Sequence, residues 1–136
     1  MKSLKKIARL FIVFACIGAL LIPTAAAVVV TPQWENVINV MCTLVINDTT
    51  ASCTGKVVGL SGISKMNGTL TLYKKVGSNW TYVTTWSGSP TTETLVTSGS
   101  TTLQKGYDYK AEYSVSVYRN GIWETVVKES NVEHCG

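Results

Sequence analysis

The stretch YDYKAEYSVSVY, residues 107 to 118, leaves this chain little choice of fold. Aromatic and β-branched side chains recur at every second position, so an extended strand carries Tyr107, Tyr109, Ala111, Tyr113, Val115 and Val117 on one face. Just beyond lies Asn120-Gly121, two residues that tolerate the positive φ of a type I′ turn. The turn predicts that IWETVVKES, residues 122 to 130, returns as the partner strand.

The same alternation recurs upstream. ENVINVMCTLVI places Ile38, Val40, Cys42, Leu44 and Ile46 on one face, and Asn47-Asp48-Thr49 turns the chain into ASCTGKVVGL. SGISKMNG, residues 61 to 68, reads as a loop. TLTLYKK puts Leu70 and Leu72 on one face and Tyr73 and Lys75 on the other, and Gly77-Ser78-Asn79 leads into WTYVTTW. SGSPTTETLVTSGS carries Pro90, which excludes a central strand, and holds at most a short edge strand near Glu93 to Thr97. No segment beyond residue 27 sustains a helical spacing over three turns. The expectation is an all-β fold: a single antiparallel β-sandwich of about seven strands over residues 37–131, of the fibronectin type III or immunoglobulin-like kind.

The first 27 residues read differently. MKSLKKIAR is basic, LFIVFACIGALLI is an apolar run of thirteen, and PTAAA offers small residues to a peptidase. That order is a secretory signal peptide, with cleavage expected after Ala27. Residues 28–36 are then a lead-in and residues 132–136 a C-terminal tail. Four of the twelve basic residues (Lys2, Lys5, Lys6 and Arg9) leave with the signal, and the remaining eight match the eight acidic ones. Nucleic-acid binding needs a basic stripe, and none remains. The run is short of the roughly twenty apolar residues of a membrane anchor, so the expected product is secreted, with no stable membrane insertion after cleavage.

Within LQKGYDYKAEYSV, Leu103, Gly106, Tyr109, Ala111 and Tyr113 stand at the offsets of a fibronectin type III tyrosine corner, with Tyr109 as the corner residue. Lys105 stands where that family usually has proline. Taken together, the signal segment, Trp34, ASCTG, GISKMNGTLTLYKK, the Trp80/Val83/Trp86 spacing, the Gly106-Tyr107/Tyr109 motif and the late NGIWET resemble uncharacterised small secreted all-β proteins of Gram-positive bacteria. The resemblance implies an exported all-β domain and carries over no active site.

Cys42, Cys53 and Cys135 remain after processing, an odd number. Two arrangements stay open. A two-residue turn at Asn47-Asp48 sets Cys42 opposite Cys53, within disulfide reach, whereas a longer loop sets it opposite Gly55. Alternatively, Cys135 bridges to Cys42 or Cys53, closing a longer loop that constrains the unfolded chain more, by roughly 1.5 to 2 kcal/mol. The thiol left over is a buried spectator or a link to a second copy in a disulfide-bonded dimer.

Reaction chemistry is sparse. The single histidine, His134, lies three residues from the end and reads as part of a frayed terminus. Glu112 and Glu124 fall on neighbouring strands, the one pair of acids with a chance to approach as glycoside hydrolysis requires. No catalytic, cofactor-binding or metal-binding set is expected. Trp80, Tyr82 and Trp86 occupy even positions of one strand, and an unbroken strand would turn all three rings the same way as a ligand platform. A bulge between Trp80 and Val83 would instead turn both inward and leave Tyr82 at the rim. The expected function is a non-catalytic extracellular binding module for a protein or glycan; the alternative is a released effector acting on another cell or receptor.

Overall fold

The computed structural model describes residues 34–136. The segment read as a signal peptide and the first six residues of the lead-in lie outside the described residues.

Eight strands follow one another: β1 (Val37–Asn47), β2 (Thr50–Gly59), β3 (Lys65–Val76), β4 (Asn79–Gly88), β5 (Thr94–Thr102), β6 (Tyr107–Arg119), β7 (Ile122–Glu129) and β8 (Glu133–Cys135). All pairings are antiparallel. One sheet has the order β1-β2-β5; the other has β4-β3-β6-β7, with β8 also on β6. Because β4 pairs with β3, it stands apart from the β1-β2-β5 sheet that a constant-type immunoglobulin domain would give it.

The inward faces meet in one core. Leu70 and Leu72 of β3, Ala111, Tyr113, Val115 and Val117 of β6, Val57 of β2 and Leu95 of β5 are fully buried. Alternation alone accounts for this, since every second residue of β6 is buried from Tyr109 to Val117. Two glycines seat the largest rings. A Cβ on Gly55 would lie 2.5 Å from the Tyr113 ring, and one on Gly99 would enter the Trp86 indole. Inside, the Tyr113 hydroxyl pairs with Thr97 Oγ1 at 3.0 Å, so the one polar group that Tyr113 brings into the core is satisfied.

Several expectations are corrected in detail. The first hairpin turns at Asp48-Thr49, with Asp48 at φ 56, and closes on the Asn47–Thr50 pair. Aspartate tolerates the left-handed region, and the later turn sets Cys42 opposite Gly55 and Cys53 opposite Leu44. A register shift between Val37 and Asn39 turns Val37 inward and leaves Ile38 exposed. β3 begins at Lys65, so half of the expected loop is strand, and Met66 is buried opposite Val117. β5 runs nine residues, because its small side chains pair with β2 along their whole length.

The C-terminal tail is a strand. After β7 the register on β6 slips by one residue, from Glu112–Glu129 to Tyr109–Glu133. Ser130 sits at the slip, donating its N–H to Ala111 O and accepting the Ala111 N–H on its hydroxyl. Beyond it Cys135 is fully buried, its carbonyl accepting the Gly106 N–H.

Candidate functional site

The three-ring platform is not built. In the β3–β4 register Tyr73 faces Tyr82 while Leu72 faces Thr84, so Val83 is an extra residue in a bulge. Trp80 and Tyr82 therefore point outward, and after the bulge Trp86 points inward against Gly99. Val83 packs against the core as well. Only Tyr82 is largely exposed, at 60 %. Trp80 lies under two lysines, with Lys110 Nζ 4.6 Å and Lys75 Nζ 5.9 Å from its ring. Lys110 also bonds Glu129 Oε1 at 2.9 Å, which relieves the like-charge pair formed by Glu112 and Glu129 on β6 and β7.

The acid pair fails on register. Glu124 stands opposite Val117 on the inward side, whereas Glu112 stands opposite Glu129 on the outer face. Glu124 has another task. Its two carboxylate oxygens accept the backbone N–H groups of Glu35 (2.9 Å) and Asn36 (3.1 Å), fixing the entry of the chain into β1. Arg119 completes the clamp, bonding Asn36 Oδ1 at 3.3 Å and Ser61 O at 2.9 Å. His134 is not frayed: it belongs to β8, and its Nδ1 lies 2.7 Å from Asp108 Oδ1 on an exposed face.

Tyr109 occupies the corner position. Its buried ring sends the hydroxyl back five residues, donating to Gln104 O at 2.9 Å and accepting the Gln104 N–H at 3.1 Å. Burial pushes the Tyr109 and Tyr113 hydroxyls above the usual tyrosine range.

The three cysteines among the described residues are free thiols, which corrects the expectation of a bridge. Cys53 and Cys135 are buried and Cys42 is partly buried. The one-step shift of the first hairpin makes Cys42 and Cys53 diagonal neighbours, a spacing of about 7–8 Å between Cα atoms that exceeds disulfide reach. Cys135 Sγ donates to Asp48 O at 3.4 Å instead. Burial, with the Cys53 and Glu112 charges behind it, pushes Cys42 up to about 11; burial alone does the same for Cys53. Thiols held protonated in this way are poor nucleophiles.

A different surface stands out. β1 and β7 are the outer strands on one side of the sandwich, and they do not pair with each other. Among the described residues, seven of the ten exposed large apolar side chains lie on these two strands or just after them: Ile38, Met41, Val45, Ile122, Trp123, Val127 and Val132. Between the two strands opens a cleft of about 410 Å³, with Cys42, Leu44 and Val45 on one side and Lys128, Glu129 and Asn131 on the other. Sequence reasoning missed this side, although one signal was present: β7 carries apolar residues on both faces (Ile122 and Val126, Trp123 and Val127) at the end of the chain.

Comparison with protein-family models, with curated proteins and with solved structures finds no match for this chain.

Proposed function

We propose that this is a secreted, non-catalytic interaction module that meets a polypeptide partner along the side of the sandwich where β1 and β7 lie open. The observation that carries the reading is that β1 and β7 both end their sheets on this side, unpaired with each other, and carry exposed apolar side chains. Unpaired strand edges are docking rims for an added strand. A glycan is the poorer partner, because Trp86 faces the core and Trp80 is covered by lysines. The reading takes residues 1–27 as the export signal and keeps the resemblance to small exported proteins of Gram-positive bacteria. The fold type that suits it is fibronectin type III-like, supported by the strand order and by the Tyr109 corner.

The test is site-specific photo-crosslinking. A photoreactive residue replaces Val127 at the open side, and another replaces Ser116 in the middle of the same outer face. Each protein is incubated with the cells that produce it and their medium. Adducts from position 127 and none from 116 support the reading. Equal labelling from both, or none from 127, contradicts it.

A further inference from the structure

We infer that the partner at this side is a second copy of the chain, which adds its β7 antiparallel to β7 across a two-fold axis at Val126 and joins the two sheets into one. The inference rests on the function proposed above and specifies its partner.

Hydrogen-bond parity comes first. β6 and β7 are joined by the two-residue turn Asn120-Gly121, both residues at positive φ, and the hairpin closes on the Arg119–Ile122 pair. In such a hairpin the pair flanking the turn is hydrogen-bonded, and bonded pairs then alternate with unbonded ones. Ile122, Glu124, Val126 and Lys128 therefore bond to β6. The bond from Ser130 N–H to Ala111 O keeps the same parity at the far end. The N–H and C=O groups of Trp123, Thr125, Val127 and Glu129 are thus aimed away from the sheet along an unpaired edge.

Charge complementarity then selects the register. With Val126 facing its own copy, Glu124 falls opposite Lys128 twice, in unbonded pairs where side chains approach closest. In the same register Thr125 exchanges backbone bonds with Val127 and Trp123 with Glu129, so all four edge residues find partners. Shifting the axis to Thr125 would instead put Lys128 opposite Ile122 and Glu124 opposite Val126.

Shape agrees with this choice. Ile122 is 63 % exposed, the highest value among the large apolar side chains of the described residues, and shares the inward face with Glu124, Val126 and Lys128. In the dimer it falls opposite Ser130 of the other copy, beside the cleft floored by Cys42 and Leu44. Each cleft receives one isoleucine.

Sedimentation velocity of the mature protein across a concentration series tests this, with thermal unfolding as the control for folding. The expected result is a reversible monomer–dimer equilibrium that weakens with salt. Lys128→Glu places like charges opposite each other twice and is expected to weaken the dimer about tenfold or more. Thr125→Pro deletes an edge-facing N–H, which edge strands tolerate, together with the exposed hydroxyl pair of Thr125 and Ser116, and is expected to abolish dimerisation while the monomer stays folded. A protein that is monomeric throughout, or a dimer insensitive to both folded variants, overturns the inference. Crosslinking from position 127 keeps the two failures apart: an adduct with a different protein, from a monomeric chain, sinks the two-fold pairing and leaves the interaction module standing. No adduct from a monomeric chain sinks both.

Discussion

Tyr113 lies flat over Gly55, and the core around it has no room for a methyl group at that position. Gly55→Ala is expected to destabilise the protein by about 1–3 kcal/mol, read from chemical denaturation. Tyr109→Phe leaves the Gln104 N–H and C=O without their partner and is expected to cost about 1–3 kcal/mol. The thiols give a pH signature. Cys42 and Cys53 ionise near 11 in the folded chain, whereas an unperturbed cysteine does so near 8.5. Between about pH 9 and 11 the unfolded chain therefore holds fewer protons than the folded one, and stability falls as pH rises. Below about pH 8 the two thiols add nothing to the pH dependence. Denaturation curves at pH 7, 9, 10 and 11 check this against a Cys42→Ala/Cys53→Ala variant, in which that part of the slope is lost.

Among the elements, the Glu124 clamp ties the start of β1 to β7. Glu124→Ala leaves two backbone N–H groups without their acceptor and is expected to cost about 1–3 kcal/mol, with amide exchange rising first at Glu35 and Asn36. Strands with clean alternation were legible in the residues: β6 shows its buried face from Tyr109 to Val117 directly. Bulges were harder. The one at Val83 decides which way Trp86 points, and its place depends on what lies opposite, here Leu72 and Tyr73 of β3, rather than on any residue type within β4. β8 was illegible for another reason: three residues offer no alternation to read, and what holds them is burial of Cys135 together with backbone bonds to the Gly106–Tyr109 segment.

At the scale of the molecule, two sheets close over one core while β1 and β7 stay unpaired on the same side. The candidate site is a property of that topology. The sequence names Ile122, Trp123 and Val127 as apolar, but only the strand order shows that nothing in the described chain covers them. The bulge at Val83 breaks up the aromatic cluster of β4, which looked more like a site than β7 did. The central claim is that the β7 edge is open in the isolated protein. Residue-resolved amide exchange in dilute solution measures this directly. The account predicts slow exchange at Glu124, Val126, Lys128 and Ser130 and fast exchange at Trp123, Thr125, Val127 and Glu129. Uniform protection along β7 in a monomer, or the opposite alternation, would contradict it.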